Sequence, residues 1–259
     1  MANDISQPAA NHAPSPSRPP WLALLLLVPA PTIGVLFAMH WFPDTWYGQT
    51  VHLAAKGWLL LFPLAWVVWA QRGRLTLPKW SWRGMTAGVV TGVLTLAVII
   101  GAWELFAHRM VDVAMFREKM HEIGLGTPAR FLGFAAAVTV INALLEEYVW
   151  RWFVYEKARD TLAIWFGGSV KAMAVPGAVP GAIPGAIVLA GLFFVLHHSV
   201  AMSVYFDWRV NALASLGIFM GSATWSILYI KYKNIYAGYI SHVFADIALF
   251  YVGYRVAFG

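Results

Sequence analysis

The sequence predicts an all-α fold, a polytopic bundle of transmembrane helices, and three observations carry that prediction. The 259-residue chain is 60% hydrophobic and only 12% charged, about half the charged fraction of an ordinary soluble domain. Apolar stretches of about 20 residues, the length needed to cross a hydrocarbon core as a helix, recur along it. Inside those stretches polarity does not alternate residue by residue, as the strands of a membrane barrel require. Seven spans are expected, with a mean hydropathy of +0.64 for the whole chain.

Residues 1–20 are polar and rich in Pro, Ala and Ser, the composition of a disordered tail. Residues 21–259 form the membrane domain. The run WLALLLLV, Trp21–Val28, has the length of a signal-peptide core. Apolar character nevertheless continues to Phe42, and Arg18 is the only Lys or Arg ahead of it, so a retained first span is expected rather than a cleaved leader. Further spans fall near Ala54–Ala70, Gly84–Phe106, Phe131–Trp150, Pro184–Phe206, Ala212–Ile230 and Ile235–Phe258. Pro29, Pro31, Pro63 and Pro184 kink or start helices, which bundles tolerate. The segment VPGAVPGAIPGA, Val175–Ala186, repeats Pro-Gly-Ala every four residues and reads as a helix-breaking loop entering the fifth span. It is either a plain connector or a gate over a groove.

The chain has no cysteine, which excludes disulfides, thiolate metal sites and a Cys nucleophile. Its net charge of +6 comes from Lys and Arg scattered between apolar runs, so the basic residues read as topology determinants and not as a nucleic-acid surface. With the N-terminus in the cytoplasm, the inner segments hold 11 of the 18, Lys56 and Arg109 among those left outside and Arg151, Lys157 and Arg159 among those inside. Basic residues concentrate on the cytoplasmic side, so the N-terminus is expected inside.

Ionisable groups at membrane depth are costly and need a partner or a task. Glu104, His40, His52 and His108 lie near segment ends and read as interfacial, while His12 and His121 fall in the tail and a loop. Three clusters remain: Glu146, Glu147 and Arg151 in EEYVWR; His197 and His198 in LFFVLHHSV; His242 and Asp246 in ISHVFADIA. Glu147 and Arg151, four apart with the acid first, share a helical face and neutralise each other. Glu146 is rotated about 100° from Glu147 and points elsewhere, into a polar pocket where it can act as a general base. Phe193–His197 and Phe194–His198 each place an aromatic ring and an imidazole on one face, as His242 and Asp246 place two polar groups. Any one of these clusters is ordinarily structural. A carboxylate, imidazoles and a further polar group on three helices at overlapping depth are what water activation and oxyanion stabilisation need.

Taken together and in this order, EExxxR, FxxxH and HxxxD resemble the CAAX-protease and bacteriocin-processing family of intramembrane endopeptidases, over about residues 131–250. The resemblance implies hydrolysis of a peptide bond in a membrane-associated peptide or protein. Glu146 and the FxxxH histidine would activate water, with His198 preferred over His197 for that role. His242 and Asp246 would stabilise the oxyanion. Many members have Asn where this chain has Asp246, and an anionic Asp is a poor donor, so its expected part is to orient His242 or to act protonated. No cofactor is expected on this reading. A zinc ion held by Glu plus two His is the alternative, although HExxH is absent. Partners are the lipid bilayer and the peptide substrate, with no nucleic acid, and the compact Ala- and Trp-rich chain suggests a bacterial inner membrane. Two other functions compete: a proton-coupled transporter and a non-catalytic scaffold or immunity protein. A transporter calls for polar residues along a whole crossing and often for two related halves, and neither is visible.

Overall fold

The structure, a computed structural model, describes residues 18–73, 79–168 and 179–259. Among these residues there is no strand, and eight helices of ten or more residues carry the fold: α1 (Pro20–Trp41), α2 (Trp46–Ala70), α3 (Trp82–Leu105), α4 (Val113–Glu122), α5 (Pro128–Trp165), α6 (Ala182–Met202), α7 (Trp208–Tyr232) and α8 (Tyr236–Phe258). Their starts follow capping chemistry. Thr45, Ser81 and Asp112 accept from the backbone N–H three residues on, at 3.2, 3.1 and 3.0 Å, and Asp207 accepts from Arg209 and Val210; each satisfies donors that the first helical turn leaves free. Proline opens α1 and α5, where its missing N–H costs nothing.

Six of these helices, α1, α2, α3, α5, α6 and α7, are long and apolar enough to cross a membrane. The expected seventh span is helix α8, whose 23 residues fall within the range of the others. It carries Ser241, His242, Asp246, Arg255 and four tyrosines, and this polar content keeps it below the apolarity of the six. The fourth span proves much longer than the expected Phe131–Trp150. Helix α5 runs through 38 residues, or about 57 Å at 1.5 Å per residue, because its charged second half is paired laterally: Arg159 meets Glu156 and Asp160 at 2.6 and 2.7 Å, and Lys157 lies 3.6 Å from Asp160. Two stretches of α5, Val138–Asn142 and Glu147–Tyr155, are π-helical. Such wide turns often mark functional sites.

Several expectations are corrected. Helix α6 starts at Ala182, so the last Pro-Gly-Ala of the repeat is helical, with Pro184 in the first turn where a missing N–H is tolerated; Val175–Ala178 lie outside the described residues, as do His12 and all but the end of the expected tail. His121 belongs to α4 rather than a loop. Lys56 sits within α2, and Arg151, Lys157 and Arg159 sit within α5, not in connecting segments.

Helix α8 lies along α3 over a stripe of glycines. A Cβ on Gly88 would strike the Ala237 carbonyl, and one on Gly92 the Phe244 ring. Small residues at four-residue spacing let two helices approach closely where lipid supplies no hydrophobic drive for association. Helix α7 packs on α6 and α8, while α1 packs on α2 and on the second half of α5. The main core joins α5, α6 and α7 through Trp150, Phe153, Tyr155, Phe194 and Trp225. Leu94 and Val98 of α3 are 60% and 70% exposed, which suits a face toward lipid. Helix α4 covers one end of α8: Arg117 donates to the carbonyls of Val256 and Gly259 at 2.9 and 2.6 Å, satisfying acceptors that a helix end leaves open.

Candidate active site

The two glutamates of α5 stand in opposite environments. Glu147 and Arg151 are both fully buried, with Arg151 Nε 3.4 Å from Glu147 Oε2. Arg151 Nη1 donates to Ser222 Oγ at 2.9 Å and to Ser226 Oγ at 3.4 Å. Its guanidinium lies 5.2 Å from the Phe194 ring centroid and 5.5 Å from that of Trp225. Charge pairing, hydroxyl acceptors and aromatic faces all act on this one buried cation. Glu147 reaches α8 only because residue 238 is glycine: a Cβ there would collide with Glu147 Oε2.

Glu146 faces a cavity instead. Its side chain keeps 13% exposure, and its Oε1 accepts a hydrogen bond from Asn142 Nδ2 at 2.7 Å. The short α-helical turn Ala143–Glu146 lies between the two π-helical stretches and sets Asn142 and Glu146 on one side. The cavity has a volume of about 180 Å³ and is walled by Lys56, Asn142, Glu146, His197 and His198 together with the apolar Leu59 and Trp150.

The imidazoles converge on Glu146 from two other helices. His198 Nε2 of α6 is 3.8 Å from Glu146 Oε1, and His242 Nε2 of α8 is 3.6 Å from Glu146 Oε2. Both separations exceed a direct hydrogen bond and fall within the reach of one bridging solvent oxygen. His198 has its other nitrogen, Nδ1, 2.9 Å from the Phe194 carbonyl. With that carbonyl as acceptor, Nδ1 carries the proton and Nε2 is left to face Glu146. His242 Nδ1 lies 3.1 Å from Glu147 Oε1, so the buried glutamate fixes this ring as well as the arginine. The ring also stacks on Trp225, with centroids 3.8 Å apart and planes 13° from parallel. Trp225 is itself anchored by its indole N–H, donated to Ser241 Oγ at 3.2 Å.

All seven residues singled out from the sequence gather here. Asp246 stands 3.8 Å from His242 Nε2, at the same ring nitrogen as Glu146; the contact at Nδ1 belongs to Glu147. His197 stacks flat on Trp150, centroids 5.2 Å apart and 5° from parallel. Donor atoms of Glu146, His197 and His198 lie within 4.8 Å of one another, so both histidines of the doubled motif border the carboxylate. Sequence reasoning missed Asn142, Ser222, Ser226, Trp225 and Gly238, and it placed His52 and Lys56 away from the site, whereas both line the cavity. For Gly238 a signal existed: it lies four residues before His242, on the same helical face.

Fold and site together define a multi-pass helical membrane protein whose acids and imidazoles meet in its interior. The family model described as type II CAAX prenyl endopeptidase Rce1-like matches residues 128–248, from the first turn of α5 into α8, the region that carries all three motifs and their resemblance to the CAAX-protease family. No curated protein and no solved structure matches the chain. Helices α1 to α4, Lys56 included, lie outside the matched region.

Proposed function

We propose that this protein hydrolyses a peptide bond in a membrane-associated peptide or protein, using water activated by Glu146. One observation carries the reading: the Glu146 carboxylate sits on a cavity wall between His198 Nε2 and His242 Nε2, at 3.8 and 3.6 Å. Glu146 takes a proton from water held between it and His198, and the hydroxide attacks the scissile carbonyl. The new oxyanion falls to His242. Because Glu147 accepts the proton at Nδ1, donation from Nε2 as well requires the imidazolium form. The proton held by Glu146 then passes to the leaving amine as the C–N bond breaks.

Asp246 supports His242 as the acid at its Nε2 side. Glu147 and Arg151 position the ring and take no part in proton transfer. The reading places the substrate in the bilayer and the protein in a bacterial inner membrane with its N-terminus in the cytoplasm.

A metal-dependent variant has one observation in its favour. Glu146, His197 and His198 offer three donors within 4.8 Å, and the His198 Nδ1 contact with a backbone carbonyl is the arrangement that orients a metal-binding imidazole. These three residues would hold zinc, which would supply Lewis acidity and a more acidic water. The test is cleavage of a membrane-anchored peptide by wild type, Glu146→Gln and His242→Ala, with and without chelator. The proposal expects wild-type activity that resists chelator and is lost in both variants. Activity abolished by chelator and restored by zinc would replace the metal-free mechanism, and equal cleavage by all three proteins would remove the assignment.

A further inference from the structure

A lysine in the eleventh position of a 25-residue apolar helix needs an explanation, because an ammonium there is costly unless it is paired. Lys56 of α2 has one. Its Nζ donates to Asn142 Oδ1 on α5 at 3.2 Å, and Asn142 Nδ2 in turn donates to Glu146 Oε1 at 2.7 Å. A lysine can only donate and a carboxylate only accept. The amide between them therefore has one orientation, oxygen toward the ammonium and NH2 toward the carboxylate. The cation thus fixes the polarity of the group that holds Glu146, and the carboxylate is left with Oε2 toward His242 while Oε1 is anchored.

We propose that Lys56, acting through Asn142, is a positioning residue that holds the Glu146 carboxylate aimed into the cavity. This rests on Glu146 being the general base. It adds a part for the N-terminal helices, which lie outside the family match: α2 supplies the cation that completes a site built otherwise from α5, α6 and α8. A hydrogen bond from a charged partner loses strength once the charge is gone, and the amide is then free to turn its oxygen toward Glu146, where like partial charges repel.

The test uses full-length protein in membranes and a fluorogenic membrane-anchored peptide. Lys56→Met is expected to lower kcat by about 10- to 100-fold with KM unchanged, the loss expected for a charge-assisted hydrogen bond made to a catalytic group. Lys56→Arg, which keeps the cation and donors, restores most of the rate. Asn142→Ala lowers kcat similarly, and Lys56→Met combined with Asn142→Ala is no worse than either alone, because both break one chain. A raised KM with normal kcat would mean that Lys56 touches substrate directly and would overturn the relay. So would additive effects, or equal loss in Lys56→Met and Lys56→Arg. A second readout needs no catalysis: the melting-temperature shift caused by Lys56→Met is expected to differ between the wild-type and Glu146→Gln backgrounds, that is, to be non-additive. Additive shifts with an active wild type defeat the relay alone. Non-additive shifts with an inactive wild type leave the relay standing and defeat the hydrolase reading.

Discussion

Two carboxylates adjacent in the chain are separated by their surroundings more than by their position. Glu147 is fully buried, with Arg151 Nε and His242 Nδ1 at 3.4 and 3.1 Å and Gly238 close against it. Glu146 touches one neutral amide, faces two imidazoles beyond direct hydrogen-bond distance and borders a cavity. A fully desolvated charge is tolerable only beside an opposite charge, so the buried acid is committed to its arginine and to structure. The acid on the cavity wall has no Lys or Arg in direct contact and keeps lone pairs for chemistry.

Five substitutions can break or sharpen this contrast. The largest effect is expected on the cavity side: Glu146→Gln should lower the cleavage rate by about 10²–10⁴-fold, the range for a positioned general base, with no fall in melting temperature, as a peptide-cleavage assay and a thermal scan on the same preparation would read. On the buried side the sign of the outcome reverses. Arg151→Ala should destabilise the protein by about 3–5 kcal/mol, because it strands Glu147 as an uncompensated buried charge, and a thermal scan with expression yield would show it. Arg151→Lys should recover only part of that loss, since a single ammonium cannot reproduce the contacts with Ser222, Ser226 and two aromatic faces. Gly238→Ala should cost about 1–3 kcal/mol by overpacking against Glu147, and the displaced carboxylate should also lower kcat through His242. The smallest effect belongs to Trp225→Phe, which keeps a ring against His242 and loses the indole N–H donated to Ser241; about 0.5–1.5 kcal/mol is expected in a denaturation series.

Much of this site was legible as spacing. Charges and imidazoles stand out against apolar helices, and Glu147–Arg151 and His242–Asp246 at four-residue intervals announce shared faces. Which residue meets which across helices was not legible. Nothing in the α7 run marks Trp225, Ser222 and Ser226 as the lining of an arginine pocket, because such residues occur in any packed membrane helix. Nor does sequence say that Glu147 would hold His242, 95 residues away. Lys56 read as a basic residue of an outer segment because hydropathy places the start of its span at Ala54, while Thr45 caps the helix two turns earlier. The length of α5 was hidden for a related reason. The apolar run ends near Trp150, but backbone hydrogen bonds continue as Glu156, Lys157, Arg159 and Asp160 neutralise one another along the helix. Hydropathy reports the cost of isolated side chains and is silent about pairs.

The division of labour between the two acids is tested most directly by placing Glu146→Gln and Glu147→Gln side by side, each measured for single-turnover peptide cleavage and for thermal unfolding in the same membrane preparation. Glu146→Gln is expected to unfold with the wild type and to cleave about 10²–10⁴-fold more slowly, while Glu147→Gln unfolds at a lower temperature and loses much less of its cleavage rate in the fraction still folded. Cleavage at the wild-type rate by folded Glu146→Gln would contradict the account.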